Sequence, residues 1–138
     1  MLRLIVVTLG TLFALGFLLG ANPPYPTTQS ENDKDMLARG LEVYHASYCG
    51  SCHTLTVANT QGQFGPSHDH LREIVRKRLE DGSYKGKATT VAAYLRESIL
   101  EPDAYLAPEY AGSRYRMPAF TDLSNEELDA LTALLDEP

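Results

Sequence analysis

The feature that most constrains this chain is a C-x-x-C-H run at residues 49–53, which contains both cysteines of the 138-residue sequence. Cys49 and Cys52 are three positions apart, so a single helical turn would bring both thiols to one side. His53 follows directly and can place its imidazole next to the two thiols. This spacing suits the attachment of one haem, because each thiol can form a thioether with a vinyl group while the histidine donates a nitrogen to the iron.

Three other chemistries use closely spaced cysteines, and each fits this sequence less well. A structural zinc site needs four ligands, and the additional histidines His68 and His70 are only two positions apart, which suits a loop or strand better than one helix face. A thioredoxin-like redox pair would follow a strand in a βαβ unit, whereas residues 36–48 have a helical pattern. A plain disulfide would leave His53 without a role. The run therefore predicts one covalently bound haem c.

The first 21 residues form an apolar segment that has to be separated from the fold. The run from Leu4 to Ala21 would be about 27 Å long as a helix, close to the hydrocarbon thickness of a bilayer. A signal-peptide cleavage site is poorly matched because Leu19 is bulky where a small residue is usual. We predict that residues 1–21 are a membrane anchor, with a cleaved signal peptide as the alternative.

The next segment, residues 22–34, is polar and rich in proline and has no hydrophobic period. This composition is typical of a flexible, extended linker. Haem c attachment requires thiols outside the cytoplasm, so we expect the domain that follows to lie in the periplasm or on the outer face of the cytoplasmic membrane.

Residues 35–138 are enough for one domain, and a haem would fill much of its small interior. The formal net charge of the chain is −6, which argues against nucleic acid as a partner. Apolar residues recur at helical spacing, and no hairpin signal such as Asn-Gly is present, so the domain is predicted to be all-α. The expected helices are bounded by these signals: a pattern from Asp35 to Tyr44, one from Leu71 to Leu79 ended by Asp81-Gly82, one capped by Thr89 or Thr90 and stopped by Pro102, and one opened by the Ser124–Glu127 capping box.

This order of elements resembles the class I monohaem cytochromes c. In that family the sixth iron ligand is a methionine shortly before the last helix, typically followed by proline, and Met117 stands in that place. The family also has a Gly-Pro pair after the haem motif, whose proline carbonyl accepts a hydrogen bond from the axial histidine, and Gly65-Pro66 matches it. The resemblance implies helices and loops wrapped around one haem, with these cofactor-binding residues: Cys49, Cys52, His53, Pro66 and Met117, of which His53 and Met117 would bind the iron.

One position departs from the family pattern, which often has a leucine two residues after the proline. This chain has His68 there, which could reach solvent or hydrogen-bond a haem propionate. Tyr105 and Tyr110 either line the haem pocket or are ordinary half-buried tyrosines. The basic residues around the second helix either form a patch that steers a partner or are a solvated surface; they are Arg72, Arg76, Lys77, Arg78, Lys85 and Lys87.

The resemblance implies one-electron transfer by an iron with both axial positions filled, and therefore no small-molecule substrate. Residues 94–105 are similar to a segment of cytochrome c domains attached to respiratory complexes, so the expected partners are redox proteins or a membrane-bound respiratory complex. The alternative is a haem enzyme or gas-binding protein whose sixth iron position is open or labile.

Overall fold

Helices and loops make up almost all of the computed structural model, which describes residues 27–80 and 82–137. The described residues contain α1 (Thr27–Ala46), α2 (Leu71–Glu80), α3 (Val91–Leu100) and α4 (Asn125–Leu135). Single 3-10 turns occupy Cys49–Ser51, Thr56–Ala58 and Pro108–Tyr110, and β1 (Thr54–Leu55) pairs with β2 (Thr60–Gln61) in an antiparallel ladder. The predicted all-α class is therefore confirmed, with one very short sheet added.

The main packing contact of the fold is the crossing of α1 and α4. Gly40 lies buried at this crossing, where an added Cβ atom would fall on the carbonyl oxygen of Ala130 and lie 2.8 Å from Cβ of Leu134. The missing side chain therefore lets the two backbones approach closely. Helices α3 and α2 complete the frame, and the buried core residues of the four helices are Val43, Tyr44, Leu71, Val75, Tyr94, Leu95, Ile99, Leu128, Leu131, Leu134 and Leu135.

The helix ends follow the signals in the sequence. The Thr90 side chain accepts a hydrogen bond from the backbone N–H of Ala93 at the start of α3. At the start of α4, Ser124 and Glu127 form both hydrogen bonds of a capping box, which satisfies backbone donors that the helix itself cannot pair. Helix α2 ends at Glu80, shortly before Gly82, whose φ of +70° is a left-handed conformation suited to glycine. The predicted bounds of these three helices are confirmed.

Helix α1 begins earlier than the sequence pattern predicts. It starts at Thr27, so the prediction of an extended linker over residues 22–34 is wrong for residues 27–34. No proline or glycine occurs between Pro26 and Gly40, and a helix held by packing at its C-terminal half can therefore continue toward the N-terminus without a break. Residues 31–36 are all exposed, so this part of α1 extends along the surface without contributing to the core.

The strand pair was missed because its connection is not one of the common two-residue hairpin turns. Thr56–Ala58 form a 3-10 turn, and Asn59 closes it in the left-handed conformation with φ of 51°. The Thr60 hydroxyl then accepts a hydrogen bond from the backbone N–H of Leu55 at 3.0 Å. The β-branched residues in the segments before and after Asn59 were the sequence signal from which the two strands could have been predicted.

In the ranges that the structure describes, no helix is both long and apolar enough to cross a membrane. The predicted anchor, residues 1–21, lies outside these ranges.

The α1–α4 crossing predicts a stability effect of Gly40→Ala. The added methyl group overlaps backbone as well as side-chain atoms, so we expect a loss of about 1–3 kcal/mol in the free energy of unfolding. Gly112→Ala is the matched control, because no atom lies within 4 Å of a Cβ at that position. Urea unfolding of the haem-loaded proteins measures the free energy of unfolding of both variants. Equal stabilities of the two would contradict the close crossing of α1 and α4.

Candidate functional site

A tight turn directly after α1 places the two cysteine thiols. Tyr48 adopts the left-handed conformation, with φ of 55°, and the chain then enters the 3-10 turn at Cys49–Ser51. The backbone N–H groups of Cys52 and His53 both donate to the carbonyl oxygen of Cys49, at 3.2 and 3.0 Å. Both cysteines are half-buried, are not joined to each other and line the same cavity. Burial raises the pKa of Cys49 to about 11, so its sulfur is a neutral thiol at ordinary pH.

His53 is oriented by a hydrogen bond from the loop that follows. Its side chain is buried, with 7% of the residue exposed, and Nδ1 lies 2.7 Å from the carbonyl oxygen of Pro66. Because a carbonyl can only accept, Nδ1 carries the proton and Nε2 keeps its lone pair. Burial lowers the pKa of His53, partly opposed by this hydrogen bond, which favours the neutral ring that a metal ion requires. The Pro66 contact implied by the family resemblance is therefore present.

Gly65 is needed for this approach between the loop and the histidine ring. A Cβ atom at Gly65 would lie 2.5 Å from Cε1 of His53 and 2.9 Å from its Nδ1. The backbone N–H groups of Phe64 and Gly65 both donate to the carbonyl oxygen of Cys52, at 3.0 and 2.9 Å. The loop is thus hydrogen-bonded to the cysteine turn at the residue before His53.

His68 lies against the ring of His53. The two ring centroids are 3.9 Å apart and the ring planes differ by 15°. His68 as a whole is half-buried, and its Nδ1 is buried without a hydrogen-bond partner among the described residues. Burial, together with the neighbouring His53, lowers the pKa of His68 to about 3 and keeps the ring neutral.

A cavity of about 430 Å³ opens beside His53, within the usual size range of cofactor pockets. The two thiols, His53 and Met117 all contribute to its wall. Met117 is half-buried, and its loop is held to α3 by a 3.0 Å hydrogen bond from the Phe120 N–H to the Ile99 carbonyl. The fold therefore brings together every residue that the sequence predicted to bind the cofactor, although they span residues 49–117.

The cavity wall is apolar and aromatic. Its charged side chains are basic, whereas the chain as a whole is acidic. The described residues that line it include no Asp or Glu, whereas they include Arg78 and Arg116. A haem carries two carboxylates on an otherwise apolar ring. Two thiols, a neutral imidazole, a thioether, apolar walls and two arginines therefore fit that group.

Arg78 is the functional candidate that the sequence only partly revealed. Its side chain is 12% exposed, pairs with Glu109 at 2.9 Å and donates to the Tyr94 hydroxyl at 3.1 Å. Its guanidinium lies 6.0 Å from the ring centroid of Tyr105, whose buried hydroxyl has no hydrogen-bond partner within residues 27–80 and 82–137. Arg78 follows the buried Val75 by three positions and Leu71 by seven, so its helical spacing from these apolar residues was the usable signal. Tyr105 and Tyr110 both line the cavity.

The basic surface of α2 is locally neutralised by acidic side chains. Its ion pairs join Arg72 to Asp136 at 3.0 Å, Arg76 to Glu80 at 2.7 Å and Lys77 to Glu73 at 2.8 Å. Surface pairs of this kind add little stability. They favour the interpretation of α2 as a solvated face over that of a partner-steering patch.

Comparison with known proteins identifies the family. The family model described as Cytochrome c matches residues 37–137, which is most of the chain and includes every candidate site residue. Searches of curated proteins and of solved structures gave no match. The family match assigns covalently bound haem c as the cofactor of this site.

The cysteine turn predicts how the cofactor is attached. The wild-type chain should retain haem after denaturation and solvent extraction, whereas Cys49→Ala/Cys52→Ala should lose it completely, because both thioethers are gone. Each single variant should keep one bond and one free vinyl group, which shifts the haemochrome spectrum of the denatured protein. Ser51→Ala, which leaves both thiols intact, is the control. Intact mass measured under denaturing conditions gives the result, and a double variant that still carries haem would refute the assignment.

Proposed function

Because this chain belongs to the cytochrome c family, we propose that it transfers single electrons through a haem held between His53 and Met117. The proposal rests on the hydrogen bonding of the His53 ring. Its Nδ1 donates to the Pro66 carbonyl, so Nε2 keeps the lone pair that an iron ion needs, and both His53 and Met117 line the cavity. The family match supports haem-based electron transfer, and these contacts support the ligand pair.

When bound, the haem supplies a reversible one-electron couple between Fe(II) and Fe(III). Met117 provides a soft thioether, which stabilises Fe(II) and raises the reduction potential relative to a second imidazole. His53 and Met117 would together hold the iron, so that a small molecule could reach it only by displacing one of the two side chains. This is the coordination of a carrier, in contrast to that of an enzyme or gas sensor.

Arg78 and Tyr105 are suited to hold the haem carboxylates. Arg78 is nearly buried and carries a permanent positive charge, while the Tyr105 hydroxyl is a buried donor without a partner in the part of the chain that the structure describes. A buried polar group without a hydrogen bond is costly, and a haem carboxylate could accept one hydrogen bond from Tyr105 and a charge-assisted one from Arg78. Glu109 and Tyr94 hold the Arg78 guanidinium in place.

We propose in addition that residues 1–21 hold the domain on the outer face of a membrane, where its partner is a redox protein or a respiratory complex. The apolar N-terminal run and the similarity of residues 94–105 to complex-bound cytochrome c domains support this proposal. Around the cavity, Tyr48 is 78% exposed, and the exposed rings of Phe64 and Tyr115 are 4.4 Å apart. Such an aromatic rim suits a transient protein contact near the haem.

The ligand pair predicts the effect of Met117→Ala. We expect loss of the weak red charge-transfer band of methionine bound to ferric iron, a lower reduction potential, and rapid binding of carbon monoxide to the reduced protein. Met36→Ala is the matched control, because Met36 is exposed on α1 and lies apart from the cavity wall. Optical spectroscopy and redox titration measure these changes. A wild-type protein that lacks the band and binds carbon monoxide rapidly would support an open-site haem protein instead.

The anchor proposal predicts that the mature chain keeps residues 1–21 and partitions with membranes. Replacing residues 1–21 with a cleavable export signal should yield a soluble, haem-loaded domain with an unchanged spectrum. Cell fractionation and N-terminal peptide mapping distinguish an uncleaved anchor from a cleaved signal peptide. A wild-type protein recovered in soluble form and beginning at or after residue 22 would rule out the anchor.

A further inference from the structure

We propose that His68 is a positioning residue for His53 and fixes the orientation of the axial imidazole plane by ring stacking. The inference rests on the proposed function in one respect, namely that His53 binds the iron. It adds a role for a side chain that differs from the leucine often found at this position in class I cytochromes c.

The stacking geometry is close and nearly parallel. The ring centroids of His53 and His68 are separated by 3.9 Å, and the planes are inclined by 15°. Flat contact over a whole ring restricts tilt of either ring, because a tilt would bring one edge into overlap and separate the other.

His68 cannot easily move away from this contact. Its backbone N–H donates to the carbonyl oxygen of Thr54 at 2.8 Å, and its carbonyl accepts from the N–H of Leu71 at the start of α2. Tyr44, which is 0% exposed, presents its ring to His68 at a centroid distance of 5.8 Å and an angle of 76°. His68 is therefore held by β1, α2 and α1 together.

The hydrogen bond to Pro66 leaves one motion of His53 unrestrained. Nδ1 is held by the Pro66 carbonyl and Nε2 would be held by the iron, so the motion that remains is a small rotation of the ring plane in which χ1 and χ2 change together. The His68 ring opposes that rotation, because it lies nearly parallel against one face of the His53 ring. Gly65 lies close to Cε1 of His53, where an added Cβ atom would be only 2.5 Å away. Partners of a metal-binding histidine set its orientation, and thereby tune the metal.

The orientation of the axial imidazole sets the splitting of the iron d orbitals. The g values in the electron paramagnetic resonance spectrum of the ferric low-spin protein therefore report the orientation of the imidazole. Loss of the stacked ring should shift these g values and broaden the signal, since the imidazole plane would sample more orientations. Mere destabilisation of the fold would not shift the g values of the molecules that remain folded.

The test compares His68→Leu, His68→Phe and the matched control His45→Leu, an exposed histidine on α1. We expect shifted and broadened g values and a changed reduction potential in His68→Leu. His68→Phe keeps a flat ring and should remain close to wild type, as should His45→Leu. Unchanged g values in His68→Leu, or equal shifts in the leucine and phenylalanine variants, would overturn the proposal.

A second measurement needs no variant and applies even if His68→Leu fails to fold. In the reduced, diamagnetic wild-type protein, cross-relaxation between the ring protons of His53 and His68 should be observed by nuclear magnetic resonance, and its absence would overturn the stacking. The red charge-transfer band recorded on the same wild-type sample tests the Met117 ligand separately. Failure of the proposed ligand pair is thereby distinguished from failure of the role given to His68.

Discussion

The hydrogen bond between His53 Nδ1 and the Pro66 carbonyl is the contact on which the rest of the site depends. It joins the cysteine turn to the loop that follows, and it decides which imidazole nitrogen carries the proton. Because the carbonyl oxygen accepts the Nδ1 proton, Nε2 keeps a lone pair that can bind a metal ion, and His53 lines the cavity. Gly65 makes the approach possible by having no side chain to meet the ring. The same short loop also carries His68, so one stretch of chain controls the protonation, position and surroundings of the histidine.

The helices provide the frame that holds this loop and the Met117 loop on one cavity. Gly40 lets α1 and α4 approach closely, and the buried leucines of α4 complete a small core beside the cavity. A domain of about one hundred residues has limited apolar surface to bury, so a large apolar cofactor is a substantial part of its interior. The Met117 loop has little regular structure, and its hydrogen bond to α3 is one of the contacts that position it. The cofactor is thus a structural element of the domain as well as its electron-carrying group.

Local signals in the sequence were sufficient for much of this architecture. The Ser124–Glu127 capping box, the Thr90 cap and the glycine after α2 each act over a few residues, and the structure follows all three. The start of α1 was not predictable in the same way, because residues 27–34 lack an apolar face and periodicity detects only packed helices. The stacking of His68 on His53 depends on the path of the loop between them. The contact of Arg78 with Tyr94 and Glu109 depends on how α2, α3 and the following loop meet, which spacing along the chain does not specify.

In the proposed site, one nitrogen from His53 and one sulfur from Met117 complete the coordination of a haem iron. Iron X-ray absorption spectroscopy of the purified protein tests it most directly, because the fine structure counts sulfur and nitrogen neighbours in both oxidation states. We expect one sulfur and five nitrogen neighbours in the oxidised and in the reduced protein. Six nitrogen neighbours, or a sulfur that is present in only one oxidation state, would contradict it.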